Sequence, residues 1–375
     1  MRKSAAALLV AFVIVVGSSC ANDASSAESK PDTTTTAPAA ETAPAEVADA
    51  GPEWRKVATT PNCECSDGSE FHFWVHPGTS ERVVFYLEGG GACFSAETCG
   101  PTTPSYTRNL QKDTGDSPAD SGIFDLANDK NPFKDDSIVF VPYCTGDLHL
   151  GNATHDYGGG VVVEHNGASN GGTALTATAA LFPDAAEVVV AGSSAGSAPT
   201  PVYAGLAQDL FPDAKVTSIA DASGAYPGTE AITLAVSAFW GTNAALPPWP
   251  ETAGDPQVAW SLPGLYVQTT KHAPDVTFAK IDTAYDETQQ SFVELAGFPG
   301  DDLMTMIDDN TKQAEDGGAK IHSWVGPGEV HTILGRPELY TTEVEGNSLL
   351  EWITALVDGD EVPTVHCTGD CGKPA

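Results

Sequence analysis

Residues 187–196 read Glu187-Val188-Val189-Val190-Ala191-Gly192-Ser193-Ser194-Ala195-Gly196 and predict a buried strand that ends in a tight turn. A continuous apolar run such as 188–191 is typical of a strand that is covered on both faces. The five residues after it match Gly-x-Ser-x-Gly, a strained turn between strand and helix that lifts a serine hydroxyl clear of the sheet. Because a helix-compatible segment follows, Ser194 occupies the position that a nucleophilic serine requires.

A second stretch, Gly167-Ala168-Ser169-Asn170-Gly171, matches the same pattern. We place it in a long turn between His165 and Gly172, which is too loose to impose the strain of a nucleophile turn. Ser169 is therefore interpreted as a loop or capping residue, and Ser194 as the nucleophile.

Short apolar, β-branched runs alternate with helix-compatible segments along the rest of the chain. The strand candidates are 82–87, 137–141, 187–191, 215–220, 276–281 and 319–325, and the helix candidates are 173–182, 196–210, 287–295, 303–314 and 348–357. This alternation predicts an α/β fold, a three-layer sandwich in which helices cover a mostly parallel central sheet.

A glycine-rich segment, Gly89-Gly90-Gly91, directly follows the strand candidate that ends at Leu87. Serine hydrolases bind the oxyanion with the N–H after the nucleophile and with an N–H from an earlier loop of this kind. The N–H of Ala195 would supply the first donor, and the glycine-rich loop the second. Phosphate binding is the competing interpretation of such a loop, but no Lys-Ser/Thr pair follows it here.

Three histidines follow the later strand candidates and are available as the catalytic base. His322 lies inside the strand-like run 320–325, and His366 lies in the cysteine-bearing tail. His331 lies in the loop after that strand, from which an imidazole can reach back to the serine. We therefore assign His331 as the base.

The acid of such a triad stands between the serine and the histidine in chain order. Asp221 ends the strand candidate after the nucleophile helix, and Asp286 ends the next strand region. Asp282 lies within or just after its strand, which disfavours it. Position along the chain leaves Asp221 and Asp286 as nearly equal candidates.

The chain is strongly acidic. Its 375 residues include 51 Asp and Glu against 17 Lys and Arg, which gives a formal charge of −34. Nucleic-acid binding depends on a basic surface, so this composition argues against a nucleic-acid partner. The hydrophobic fraction of 41% is nevertheless sufficient for a large core, unlike that of acidic disordered chains.

The first 52 residues have the composition of an export signal and a spacer. Residues 1–20 combine a basic start, an apolar run too short to span a bilayer, and Gly17-Ser18-Ser19 before Cys20. We predict lipidation of Cys20 at a bacterial lipoprotein cleavage site, with anchoring outside the membrane; ordinary cleavage nearby and secretion are the alternative. Residues 21–52, rich in Ala, Thr and Pro, predict a disordered linker, and residues 53–375 predict one catalytic domain.

Seven cysteines follow Cys20, and export into oxidising surroundings favours disulfides. Two pairs are spaced to close short local loops: Cys93 with Cys99, and Cys367 with Cys371. A third bond is expected between Cys144 and either Cys63 or Cys65, which leaves one cysteine over.

Metal binding is not indicated by the spacing of the Cys and His residues, which lacks the paired knuckles of a zinc site. The nearest candidate is His149 with His155 and Asp156, which lie in a glycine-rich polar stretch. We interpret that stretch as a solvated loop and expect neither a metal nor another cofactor.

Five motifs follow one another along the chain: LEGGGAC (87–93), VPYC (141–144), GSSAG (192–196), AYD (284–286) and VHT (330–332). Their order resembles that of the pectin acetylesterase family, which includes the Notum carboxylesterases, and the similarity extends from about residue 63 to about residue 334. The resemblance implies an α/β-hydrolase fold, metal-independent ester hydrolysis, and a triad of Ser194, Asp286 and His331. It also implies an oxyanion hole at Gly90, Gly91 and Ala195. On this ground Asp286 is preferred to Asp221.

Two features separate this chain from an enzyme acting on pectin. Family members often carry Trp after the two glycines of the oxyanion loop, where this chain has Gly91-Ala92, so a different acyl site is expected. Deacetylated galacturonan is a polyanion that so acidic a surface would repel. We therefore expect a serine esterase that deacetylates a neutral acetylated polysaccharide or cleaves a small acyl ester.

An aromatic and proline-rich insertion occupies residues 226–266 and contains Phe239, Trp240, Trp249 and Trp260. Its aromatic side chains are expected either to cap the pocket or to fill the core. A catalytically inactive, surface-binding module of the same fold is the alternative to an esterase. The presence of a complete Ser, Asp and His set favours the esterase.

Overall fold

A nine-stranded sheet forms the centre of the computed structural model, which describes residues 53–59, 62–102, 104–110, 117–226, 228–300 and 302–373. In chain order, the strands of these segments are β1 (Arg55–Ala58), β2 (His72–His76), β3 (Arg82–Leu87), β4 (Ser137–Val141), β5 (Ala153–Asp156), β6 (Val162–His165), β7 (Glu187–Ser193), β8 (Lys215–Asp221), β9 (Thr277–Thr283), β10 (Ile321–Gly326), β11 (Glu343–Val344), β12 (Asn347–Ser348) and β13 (Val365–His366). Strands β5 and β6 pair with each other outside the central sheet, as do β11 and β12.

The central sheet has the strand order β1-β2-β4-β3-β7-β8-β9-β10-β13. From β4 to β13, every neighbouring pair is parallel, whereas β1 and β2 add an antiparallel edge. This mostly parallel sheet gives the α/β-hydrolase-like fold that the sequence predicts. Strand β7 lies in the middle, so the loop after it is flanked by the ends of β3 and β8, where ligands of such sheets bind.

Helices cover both faces of the sheet. They are α1 (Ala96–Cys99), α2 (Gly167–Leu181), α3 (Thr200–Leu210), α4 (Glu230–Trp240), α5 (Leu262–His272), α6 (Glu287–Leu295), α7 (Leu303–Asp316) and α8 (Leu349–Asp358). Successive strand residues point to opposite faces. Accordingly, Phe85 packs in one core with Leu175 of α2, and Tyr86 packs in the other with Trp352 of α8. The predicted three layers are confirmed.

The six strand predictions are confirmed, with four of the strands extending one or two residues further at their carboxyl ends. The edge strands β1 and β2 and the short strand β13 were not predicted. Strand β1 has only one buried residue among its four, Val57, so its sequence lacks the apolar run that identifies a central strand.

The interpretation of Ser169 as a loop residue is wrong, because helix α2 begins at Gly167 and includes it. The three glycines near this start lower the local helix propensity and conceal the helix in the sequence. The start is instead fixed by the buried Asp147, whose Oδ2 accepts a hydrogen bond from the N–H of Gly167 at 2.8 Å. This capping contact joins residues 20 positions apart, which a local pattern does not detect.

The interpretation of His149 as part of a solvated loop is also wrong. Its side chain is buried, and its Nε2 lies 2.9 Å from the carbonyl oxygen of Glu88, next to the ring of Tyr143. Burial lowers the pKa of His149, which favours the neutral ring. His155 and Asp156, in contrast, lie in the partly exposed hairpin strand β5.

Three disulfides link the described cysteines. Cys93 bonds to Cys99 and Cys367 to Cys371, as predicted. Cys65 bonds to Cys144 and leaves Cys63 as the buried, unpaired cysteine, so the open alternative is decided by the fold.

The predicted signal, the lipidation site at Cys20 and the linker 21–52 lie outside the described residues. Among the described helices, none is long and apolar enough to cross a membrane.

Candidate active site

Ser194 follows β7 directly and begins a short 3-10 helix, Ser194–Gly196, that leads toward α3. Its φ of +53° lies in the left-handed region, which is strained for a residue with a side chain. A Cβ at Gly192 would collide with the carbonyl oxygen of Gly196, and one at Gly196 would collide with that of Leu87. The two glycines of the motif are therefore required by close backbone contacts that hold the strained turn.

Asp286 and His331 are in direct contact. The His331 Nδ1 lies 2.7 Å from Asp286 Oδ2, and the carboxylate is fully buried. Asp286 is the N-cap of α6, and its Oδ1 accepts hydrogen bonds from the N–H groups of Thr288 and Gln289. A helix N-terminus stabilises a carboxylate at this position.

The other nitrogen of the imidazole, His331 Nε2, is buried without a hydrogen-bond partner among the described residues. Because an ionised carboxylate only accepts hydrogen bonds, Asp286 selects the tautomer with the proton on Nδ1. Nε2 then carries the lone pair that a general base needs.

Asp221, the other candidate acid, is not hydrogen-bonded to the imidazole. Its Oδ2 accepts hydrogen bonds from the N–H groups of Ile333 and Leu334 at 2.8 and 2.9 Å, and from Ser193 Oγ at 2.7 Å. Burial raises the pKa of Asp221, and the hydrogen bonds from these donors only partly offset that increase. The carboxylate therefore links Ser193, the residue before Ser194, to the backbone just after His331, and it fixes the spacing of the two loops.

The remaining histidine candidates lie elsewhere. His322 is in β10, where its Nδ1 is 3.3 Å from the carbonyl oxygen of Val362. His366 is in β13, and its Nε2 is 3.2 Å from Asp308. Neither is part of the Asp286–His331 arrangement.

The glycine-rich loop 89–91, the candidate oxyanion loop, lies beside Ser194, because a Cβ at Gly89 would stand 2.7 Å from the Cβ of Ser194. Within the described residues, the N–H groups of Gly90 and Gly91 donate no hydrogen bond, so both remain available to a ligand. Gly91 has a φ of +82°, and a Cβ there would collide with the carbonyl oxygen of Ser105. A large side chain in this loop would therefore have to stand at position 92, where Ala92 lines the cavity described next.

A cavity of about 330 Å³ opens at Ser194, Ala195 and the oxyanion loop. More than half of its lining residues belong to the insertion between β8 and β9, among them Phe239, Trp240 and Trp260. No Asp, Glu, Lys, Arg or His of the described segments lines it. This apolar lining contrasts with the net charge of −34 of the whole chain and is of the kind that suits an apolar group.

The aromatic residues of the insertion have both of the predicted roles. Phe239, Trp240 and Trp260 line the cavity, whereas Trp249 is buried in a small core with Val202 and Leu265. The insertion also contains helix α4 and the start of helix α5, neither of which is predicted from the sequence.

Gln289 is a site residue that the sequence analysis missed. Its side chain is fully buried, and its amide nitrogen donates to Asp286 Oδ2 at 3.1 Å. It lies one helical turn after Asp286 on α6, and this i, i+3 spacing after a candidate acid is the signal that could have identified it.

No metal site is evident in the described part of the chain, which contains no group of three or more His, Cys, Asp or Glu side chains that could hold an ion.

Comparison with protein families gives a match to the Pectinacetylesterase model over residues 52–238, about half of the chain. The chain belongs to the pectinacetylesterase family. The matched segment contains the oxyanion loop and Ser194, whereas Asp286 and His331 lie beyond its end.

Relatives of this pectinacetylesterase-family chain include three Notum proteins. Palmitoleoyl-protein carboxylesterase notum2 of Xenopus laevis is 29% identical over 140 residues, which are 35% of this chain and 27% of the relative. Palmitoleoyl-protein carboxylesterase NOTUM of Homo sapiens is 30% identical over 90 residues, 23% of this chain and 18% of the relative. Inactive palmitoleoyl-protein carboxylesterase notum1b of Danio rerio is 33% identical over 92 residues, 24% of this chain and 66% of the relative. The chain thus spans less than a third of the length of the first two.

Proposed function

We propose that this pectinacetylesterase-family protein is a serine carboxylesterase with Ser194 as nucleophile, His331 as base and Asp286 as acid. The observation that carries the proposal is the 2.7 Å contact between His331 Nδ1 and the buried Asp286, which leaves Nε2 of the same ring without a partner in the described part of the chain. The strained Ser194 at the mouth of an apolar cavity supports it.

The reaction is a two-step acyl transfer. His331 Nε2 takes the proton of Ser194 while Oγ attacks the ester carbonyl carbon, and the imidazolium is stabilised by Asp286. The N–H groups of Ala195, Gly90 and Gly91 bind the oxyanion. His331 then protonates the leaving alcohol as its C–O bond breaks. Water, activated by the same nitrogen, hydrolyses the acyl-enzyme and restores the serine.

The cavity favours an acyl chain longer than acetyl. Each CH₂ transferred from water into apolar surroundings contributes about 0.8 kcal/mol, which corresponds to about a fourfold gain in kcat/KM. The cavity has a volume of about 330 Å³, and an acetyl group would leave most of it empty. The relatives named palmitoleoyl-protein carboxylesterases support the same choice. Acetylated neutral polysaccharides and small esters, the substrates expected from the sequence, are the comparison class.

The proposed location is outside the cell, either lipid-anchored through Cys20 or secreted. The signal-like residues 1–20 and the three disulfides support export. A mass spectrum of the mature N-terminus tests the anchor: a diacylglyceryl-modified Cys20 is expected, and an unmodified start at another residue contradicts it.

Hydrolysis of p-nitrophenyl acetate, butyrate and octanoate by the wild type and by Ser194→Ala tests the esterase. We expect kcat/KM to rise from acetate to octanoate, and kcat to fall on the order of 10⁶-fold in the variant. Acetate release from acetylated xylan tests the alternative substrate class.

A rate that is the same in both proteins contradicts the esterase and favours an inactive, surface-binding module. This second candidate is retained because one relative, the notum1b protein of Danio rerio, is named inactive.

A further inference from the structure

A chain of buried polar groups extends from the candidate acid to the wall of the acyl cavity. The Gln289 side chain has three partners: its Nε2 donates to Asp286 Oδ2 at 3.1 Å and to Asp282 Oδ1 at 3.0 Å, and its Oε1 accepts from the N–H of Ala225 at 3.0 Å. This last bond fixes the orientation of the amide, because only the oxygen can accept from an N–H.

The partners of Gln289 on the side away from Asp286 hold the start of the cavity-forming insertion. Asp282 Oδ1 also accepts from the N–H of Gly224 at 2.8 Å. Asn310 donates to the carbonyl oxygens of Gly224 and Tyr226 at 2.8 and 3.0 Å. Tyr226 itself lines the cavity. The segment 224–226 is thus attached by side chains rather than by a strand ladder.

Asp282 is a buried carboxyl group that the acyl-transfer steps do not use, and its Oδ2 has no hydrogen-bond partner in the described part of the chain. Burial raises its pKa to about 6, with Lys280 and the hydrogen bonds from Gly224 and Gln289 acting in the opposite direction and Asp286 in the same one. Lys280 is itself buried, and its Nζ donates to Thr311. Asp282 is therefore positioned to anchor Gln289 through its Oδ1.

We propose that Gln289 is a positioning residue. Its side chain is anchored on Asp282, and it holds the triad acid Asp286 in a fixed position relative to the segment 224–226, where the wall of the acyl cavity begins. The assignment rests on the proposed function. Replacing the amide removes one of the donors that orient Asp286, so the His331 imidazole is held less accurately. The same change releases the N–H of Ala225 and loosens the wall beside Tyr226. One side chain thereby couples acyl binding to triad geometry.

The experiment compares Gln289→Leu with Gln290→Leu. Gln290 is a neighbour of the same type on α6, and its side chain makes one long hydrogen bond, to Glu294, and none to Asp286 or Asp282 among the described residues. We expect kcat to fall about tenfold for both p-nitrophenyl acetate and octanoate in Gln289→Leu, with KM rising for octanoate alone. Gln290→Leu is expected to match the wild type. A general loss of stability would not make the change in KM depend on chain length.

Proton NMR in water gives a second readout that requires no turnover. The Nδ1–H of His331, hydrogen-bonded to Asp286, is expected to give a strongly downfield signal in the wild type and in Ser194→Ala. Gln289→Leu should shift or broaden it. If kcat, KM and this signal are all the same as in Gln290→Leu, the positioning role is overturned.

Failure of the proposed function is distinguishable from failure of this inference. If the wild type cleaves no ester faster than Ser194→Ala, the esterase is contradicted, and the proton signal alone decides the role of Gln289. If Gln289→Leu does not fold, Gln289→Met, which keeps the length of the side chain but removes its amide, is compared with Gln290→Leu by the same three measurements. Values of kcat, KM and the proton signal that all match those of Gln290→Leu overturn the positioning role.

Discussion

Two buried carboxylates near the candidate nucleophile differ in what they accept. Asp286 accepts a hydrogen bond from the imidazole of His331, whereas Asp221 accepts from the backbone after that histidine and from Ser193. A hydrogen bond to the ring acts on the reacting proton, and one to the backbone acts only on position. Different consequences of removing each charge are therefore expected.

At the residue scale, Asp286→Asn should lower kcat on the order of 10⁴-fold, because the amide favours the wrong imidazole tautomer. Asp221→Asn should lower the free energy of unfolding by about 1–3 kcal/mol, because an amide N–H₂ would face backbone donors. Steady-state kinetics and urea denaturation of both variants check this. A larger loss of kcat in Asp221→Asn would reverse the two assignments.

At the element scale, helix α4 forms part of the wall of the apolar cavity. Ala235 lines the cavity, whereas Ala238 on the same helix is exposed. Helix α4 and Ser194 line the same cavity only in the folded protein, because 35 residues or more separate them in the sequence. Changes on one face of α4 should therefore alter acyl preference without affecting the triad.

Ala235→Trp should fill part of the cavity and lower kcat/KM for p-nitrophenyl octanoate at least about tenfold, which corresponds to the burial of two CH₂ groups. The value for acetate should change little, since acetyl lies next to Ser194. Ala238→Trp is the matched control and should keep the wild-type preference. Equal loss for both esters in Ala235→Trp would show that the helix does not limit chain length.

A second element-scale feature is an ion cluster that ties the insertion to α3 and α5. His272 Nε2 lies 2.7 Å from Asp209 and Nδ1 lies 2.9 Å from Glu251, and the ring stacks on Trp249. Burial lowers the pKa of His272, but the hydrogen bonds to Glu251 and Asp209 outweigh it, and the pKa is raised. Only the protonated ring donates to both carboxylates at once.

The cluster should make stability depend on pH. Because the folded pKa of His272 lies above its unfolded value of about 6.5, its contribution is complete below that pH and disappears as the pH rises through the folded pKa. His272→Gln should therefore have a smaller decrease in Tm between about pH 6 and pH 8 than the wild type. Thermal denaturation monitored by circular dichroism checks the difference, and parallel curves would contradict it.

At the scale of the whole molecule, a net charge of −34 produces self-repulsion that the fold has to withstand. Among the described residues no charged side chain lines the cavity, so the acidic surface and the apolar site are separate parts of the described molecule. Screening of the surface charges by salt should therefore change the stability of the fold more than it changes the rate of hydrolysis of a neutral ester.

Raising NaCl from about 0.01 to about 1 M, which shortens the screening length from about 30 to about 3 Å, should raise Tm. The value of kcat for p-nitrophenyl acetate should change less than about twofold. Scanning calorimetry and the ester assay at each salt concentration check both parts. A lower Tm in high salt would show that attractive ion pairs outweigh the repulsion.

The local sequence determined the elements whose information is local. The apolar run before Ser194 predicted β7, and the Gly-x-Ser-x-Gly turn predicted a strained serine, because backbone sterics act over a few residues. Only the tertiary structure brought Asp286 into contact with His331, paired Cys144 with Cys65, started α2 at the cap from Asp147, and formed the apolar cavity from the insertion. Each of these depends on contacts between residues that are distant in the chain, and such contacts exist only after the sheet has formed.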